Sequence, residues 1–118
     1  MPETTDGILH LAGQSSGEIS FENPVRDLER NTASTLRLLK YAKEAKCKRF
    51  IYASSMSVYG DTMGKPGYED LTCNPKSCYG VGKLASEQYI RILSGSMNYT
   101  IWRMFNVYGP GQNNNFVI

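Results

Sequence analysis

The chain has 118 residues, 41% of them hydrophobic and 20% charged, with a formal net charge of +2. That length serves one domain with one modest core, and so small a net charge leaves no basic footprint for nucleic acid. No apolar run reaches membrane-spanning length, the polar residues after Met1 do not read as a secretion signal, and the three cysteines, Cys47, Cys73 and Cys78, have no zinc or redox spacing and read as free thiols of a reducing cytoplasm.

In chain order, "GILHLAG" (7–13) is a short apolar run ending in small residues, which predicts a buried parallel strand with a loop at its C-terminal end. Asn23-Pro24 then supplies an N-cap and a proline at the first helical position. From Val25 to about Lys46, the apolar positions Val25, Leu28, Leu36, Leu39 and Ala42 predict one long amphipathic helix with a basic last turn. "KRFIYAS" (48–54) is a second strand, and 60–75 is a loop rich in Gly, Pro, Asp and Asn. A second helix starts around Ser77 and runs to about Leu93, residues 94–98 turn, "YTIWRMF" (99–105) is a third strand, and "NVYGPGQNNN" (106–115) is a loop. Strands alternating with helices imply βαβ units, a parallel sheet and helices on its faces. Ligands in such sheets sit beyond the C-terminal strand ends. The loops predicted there are "AGQSS", "SSMSVYG" and "NVYGPGQN", all rich in small and hydrogen-bonding residues.

Within the second helix, "SCYGVGK" (77–83) places Tyr79 and Lys83 four apart, on one helical face. An ammonium beside a phenol eases its ionisation. Gly80 and Gly82 weaken the same turns by about 1 kcal/mol each, which suggests that something approaches the backbone there. His10, the single histidine, reads as a satisfied core residue. Tyr52, Tyr89 and Trp102 read as core or helix-face aromatics.

"HLAGQSS" (10–16), Asn31 in "NTASTLRLL" (31–39), "SSMSVYG" (54–60), "YGVGK" (79–83) and "RMFNVYGPGQ" (103–112) stand in an order and spacing that resemble the extended short-chain dehydrogenase/reductase superfamily. The branch they look most like is the NAD-dependent nucleotide-sugar epimerases and dehydratases. The resemblance covers nearly the whole chain. It implies a partial doubly wound, Rossmann-like α/β fold, with residues 1–118 as a single partial NAD(P)-binding domain. The family's glycine-rich dinucleotide turn and its first strands are expected before "GILHLAG", and its substrate domain after Ile118. The sequence therefore reads as the middle segment of a longer enzyme.

The resemblance implies Ser55, Tyr79 and Lys83 as the catalytic triad. Tyr79 would take a proton from a sugar hydroxyl while a hydride passes to NAD, and NADP stays open. Cofactor contacts are implied at Leu11, Ala12, Gly13, Asn31, Ser54, Tyr79, Lys83 and Phe105. Substrate contacts are implied at Ser15, Ser55, Ser57, Tyr79 and Asn106, with Gln14 and Ser16 also facing cofactor or sugar. No metal is expected. Dehydratases of the family resemble one another in an Asp-Glu pair where this chain has Met56 and Ser57. Neither residue is an effective acid or base at neutral pH, which favours C4 epimerisation of a nucleotide sugar over dehydration. The alternatives are a truncated remnant or interaction module that binds no NAD on its own, and then a keto-sugar or other carbonyl reductase of the same superfamily. The resemblance also implies a cytoplasmic homo-oligomer, a dimer, with no nucleic-acid or membrane partner.

Overall fold

The computed structural model describes residues 2–64 and 66–112. Three strands, β1 (Gly7–His10), β2 (Arg49–Ser55) and β3 (Asn98–Met104), form one sheet in the order β1-β2-β3. Both pairings are parallel, with Gly7 opposite Arg49 and Arg49 opposite Asn98. All three C-terminal ends therefore share one sheet edge, as the βαβ pattern predicts. The loop expected over 106–115 is described as far as Gln112; residues 113–115 lie outside the described residues.

Between β1 and β2 the chain makes α1 (Gly17–Glu22), α2 (Pro24–Leu28), a π-helical turn (Glu29–Ala33) and α3 (Ser34–Glu44). The predicted cap holds: Asn23 Oδ1 accepts from the Arg26 backbone N–H at 3.0 Å, and Pro24 occupies the first position. The last three elements run on as one irregular helix over the span expected for a regular one. The π turn falls where Thr35 donates to the Asn31 carbonyl at 2.7 Å and Ser34 to those of Arg30 and Asn31. Such back-bonding competes with the regular ladder. Helix α1 was not expected; Ser16 caps it by accepting from Ile19 N–H. Helix α4 (Cys78–Leu93) follows a 3-10 turn (Met56–Val58) and a long loop, capped by Ser77 through the Gly80 N–H at 3.0 Å.

The sheet order advances one way, and right-handed crossovers put both helical connections on one face. There Leu39, Ala42, Phe50, Tyr52, Ile90 and Met97 form the core. On the opposite face Leu9, Trp102 and Met104 are about half exposed. This corrects two expectations. Strand β1 is covered on one side only, because no described element lies over Leu9, and Trp102 is not in the core. Helix α2 also inverts its expected face. Val25 and Leu28 point outward, while Asp27, Asn31, Thr32 and Thr35 are buried. The helix turns polar groups toward the site.

Candidate active site

The C-terminal end of β2 carries Ser54 and Ser55. Ser55 also caps the 3-10 turn, its hydroxyl accepting from the Ser57 N–H at 3.2 Å and donating to Ser57 Oγ at 3.1 Å. Helix α4 brings Tyr79 and Lys83 against this end, both buried. The Lys83 ammonium donates to the Ala53 carbonyl at 2.9 Å and lies 4.9 Å from the Tyr52 ring centre and 5.6 Å from that of Tyr79. Ser55, Tyr79 and Lys83 line one cavity of about 300 Å³, at the lower end of the range for small-molecule sites. Leu11, Gly13, Gln14, Ser15, Ser54, Met56, Ser57, Phe105 and Asn106 complete most of its wall. The three strand-end loops thus meet around the Tyr–Lys pair.

Two residues expected at the cofactor do not line this cavity. Ala12 is not on the cavity wall. Asn31 is fully buried behind it, its amide donating to Asp27 Oδ1 at 2.9 Å. Its own Oδ1 has no hydrogen-bond donor among the described residues, and a Cβ on Gly13 would collide with it. Gly13, at φ +150°, therefore passes over the asparagine where no side chain fits. Ser54 reaches the cavity, but its hydroxyl is engaged by Glu87 at 2.5 Å.

The helical glycines are correctly read as points of close approach, but the neighbour is the chain itself. A Cβ at Gly80 would meet the Ser57 carbonyl oxygen at 2.6 Å, and one at Gly82 the Thr32 hydroxyl at 3.1 Å. They let α4 press onto the 3-10 turn and the π turn. The close packing of α4 on these two turns accounts for both glycines.

The electrostatics correct another expectation. Burial pushes the Tyr79 phenol above its ordinary value, and Asp27 adds to the rise, while contact with the Ser55 hydroxyl works the other way. Burial also lowers the Lys83 ammonium to about 8, with Asp27 opposing. Desolvation is the largest cause of both shifts. Asp27 is itself raised by burial, against the pull of the Asn31 and Gln14 amides and Lys83. His10 is buried and satisfied as predicted, with Nε2 2.9 Å from Thr35 Oγ1, and its basicity is lowered by burial and then by Lys83.

Behind the cavity lies a network not anticipated from the sequence. The Glu87 carboxylate, without solvent exposure, takes a bidentate pair from Arg103 (Nε to Oε1 at 3.0 Å, Nη2 to Oε2 at 2.8 Å) besides the Ser54 hydroxyl. Arg103 lies 4.8 Å over the Tyr59 ring and donates to the Glu69 carbonyl at 3.0 Å. The network ties α4, β2, β3 and the 60–77 loop together. Its signal was present: Tyr79, Lys83 and Glu87 repeat at four-residue spacing on one helical face, and Arg103 interrupts an apolar strand.

The sequence model of the NAD dependent epimerase/dehydratase family matches residues 2–118. The GDP-6-deoxy-D-mannose reductase of Pseudomonas aeruginosa is 37% identical over 99% of this chain and 40% of its own length. Among solved structures, RMD from Pseudomonas aeruginosa complexed with NADPH superposes with a TM-score of 0.85 at 36% identity, over 98% of this chain and 41% of that one. The UDP-glucose 4-epimerase of Thermus thermophilus in complex with NAD gives a TM-score of 0.86 at 32% identity, over 92% of this chain and 36% of that one. The chain spans well under half the length of these relatives.

Proposed function

The chain belongs to the NAD dependent epimerase/dehydratase family, and on that premise we propose that residues 1–118 form the catalytic half of the cofactor-binding domain of a nucleotide-sugar 4-epimerase. The observation that carries the reading is one cavity that joins Ser55, Tyr79 and Lys83 while Met56 and Ser57 stand on the same wall. Hydroxyls and an ammonium can move a proton at a sugar carbinol. Nothing at Met56 or Ser57 can expel water as an acid–base pair would.

The residues fit the reacting end of a nicotinamide dinucleotide. Lys83 uses one of its three N–H donors on Ala53, the Asn31 carboxamide oxygen stands unpartnered behind Gly13, and small residues leave the wall open. When bound, the cofactor supplies the hydride acceptor. The chain's own groups do the remainder. Tyr79 Oη takes the proton of the sugar hydroxyl, the Ser55 hydroxyl hydrogen-bonds the same oxygen, and Lys83 holds positive charge beside the phenolate. Returning the proton to the same oxygen after hydride re-addition on the other sugar face completes epimerisation. Asn106, on the rim, suits a phosphate oxygen of the nucleotide.

A reductase working at the same carbinol is the second reading, favoured by the 37% identity to GDP-6-deoxy-D-mannose reductase. NADP would replace NAD there, in keeping with the NADPH bound in the structural relative. Cys47, Cys73 and Cys78 are free thiols, which supports work in a reducing compartment such as the cytoplasm; among the described residues no helix is long and apolar enough to cross a membrane. Val81, Tyr89 and Ile92 make an exposed apolar stripe along α4, which supports a homodimer packed through its helices.

The full-length protein, given NAD and UDP-glucose and followed by proton NMR of the anomeric signals, should yield UDP-galactose. No epimer, but NADP reduction with GDP-6-deoxy-D-mannose, selects the reductase. Inactivity with both overturns the proposal.

A further inference from the structure

Glu87 carries its charge with no solvent exposure, and the proton transfer derived above makes no use of it. Arg103 grips both of its oxygens, Nε on Oε1 at 3.0 Å and Nη2 on Oε2 at 2.8 Å. A buried ion pair of this kind adds little stability over well-packed apolar side chains, so the fold alone does not explain a carboxylate here. What Glu87 does hold is Ser54, whose hydroxyl donates to Oε1 at 2.5 Å. An ionised carboxylate only accepts. The one hydroxyl proton of Ser54 is therefore committed to Glu87 and not to a ligand, although Ser54 stands on the cavity wall.

The neighbouring residue repeats the tie. Lys83, one turn before Glu87 on α4, donates to the Ala53 carbonyl at 2.9 Å. Ala53 and Ser54 are the two residues before Ser55, and Tyr79 lies one turn before Lys83. Two cross-ties one helical turn apart thus fix the end of β2 against α4. The same strand end and the same helix present Ser55 and Tyr79 to the cavity. The two ties differ in firmness. An ammonium turns freely on a flexible stem, whereas the bidentate guanidinium holds the Glu87 carboxylate in one plane. Arg103 is itself anchored, with Nη1 on the Glu69 carbonyl at 3.0 Å and the guanidinium 4.8 Å over the Tyr59 ring. Arg91 adds only a looser contact to Glu87 at 3.8 Å.

We propose that Glu87 is a positioning residue: set by Arg103, it holds Ser54 and so fixes the spacing of the Ser55 hydroxyl and the Tyr79 phenol across the cavity. Its effect on turnover rests on the role given above to Tyr79. Reacting groups tolerate little displacement, a shift of about 1 Å costing about 100-fold in rate.

Ser54→Ala is the first test, because it cuts the tie and leaves the Glu87–Arg103 pair whole, with no buried charge stranded. In the full-length protein kcat should fall about tenfold, with NAD affinity and the KM for the nucleotide sugar unchanged. Ser54→Thr, which keeps the hydroxyl, should restore kcat. An unchanged kcat in Ser54→Ala overturns the proposal. So does a loss confined to KM or NAD affinity, which would make Ser54 a ligand contact. Glu87→Leu combined with Arg103→Met removes the pair without stranding either charge, and a folded double variant with the natural kcat also overturns it. A readout free of turnover keeps this separate from the function proposed above. With carbon-13 at tyrosine Cζ, the Tyr79 signal, assigned by its absence in Tyr79→Phe, should shift in Ser54→Ala and return in Ser54→Thr. An unmoved signal overturns the positioning role. A moved signal in a protein inactive with both nucleotide sugars supports the positioning and removes only the proposed function.

Discussion

Replacing Lys83 by methionine should make the protein more stable at neutral pH and inactive. The native ammonium sits in a site that lowers its pKa from 10.5 to about 8. The folded state therefore binds that proton less tightly than the unfolded chain does. The stability that goes with neutral Lys83 is fully present above pH 10.5, is lost as pH falls toward 8, and is absent below that. At about 1.4 kcal/mol per unit, the charged side chain costs the folded state about 3 kcal/mol at pH 7. At pH 10 most of that penalty is gone, leaving under about 1 kcal/mol. Methionine has similar reach, fills the same space and does not titrate. Urea unfolding of both proteins at pH 7 and pH 10 isolates the effect, because other titrations cancel in the difference. The advantage of Lys83→Met should shrink by about 2 to 3 kcal/mol between the two pH values. A difference independent of pH would refute the reasoning and mean that Lys83 is charged in the native state at no electrostatic penalty. The simultaneous loss of activity would mark Lys83 as a site where stability is traded for function.

Other consequences concern the frame of the site. Glu87→Ala should destabilise the protein by about 3 to 5 kcal/mol, because it strands Arg103 and removes the acceptor of the Ser54 hydroxyl; a change below about 1 kcal/mol in urea unfolding would show the network to be dispensable. Gly80→Ala should lower kcat at least about tenfold while the protein still folds, since a methyl there must push α4 away from the Ser57 carbonyl; unchanged kinetics would detach the helix position from the chemistry. His10 is harder to protonate in the folded state than in the unfolded chain, where it titrates at 6.5. Its contribution to stability is therefore present above pH 6.5 and lost as pH falls below it. His10→Gln should flatten the fall in stability below pH 6.5, and an equally steep acid limb would assign the loss to other groups.

How much of this was legible follows from the range of the interactions. The three strands are short apolar runs bounded by turn residues, and α4 carries both a serine cap and a consistent period. Those signals are local and each element appears within a residue or two of its expected span. Helix α1 has only six residues, too few to show a period, and its cap Ser16 lies in a loop already read as part of the site. The π turn adds a residue to a helix whose sequence still satisfies a regular repeat. The outward face of α2 misleads because Val25 and Leu28 look like core while Asp27 and Asn31 look like surface. Only tertiary packing against α4 reverses them. Ser55, Tyr79 and Lys83 were legible as a set through motif spacing, and the fold brings them together. The direction of the Tyr79 shift was not, because burial depends on the whole fold whereas the Lys83 spacing does not. Gly80 and Gly82 announced a close approach without saying to what.

The central claim is that Tyr79 carries the proton of the reacting hydroxyl. Turnover of the nucleotide sugar and NAD binding should be measured side by side in the full-length protein and its Tyr79→Phe variant. Losing a positioned proton carrier should lower kcat by about 100-fold or more, with NAD affinity unchanged, because the missing hydroxyl acts in the chemical step. Turnover at the natural rate in Tyr79→Phe would contradict the account and leave the cavity without its acid and base.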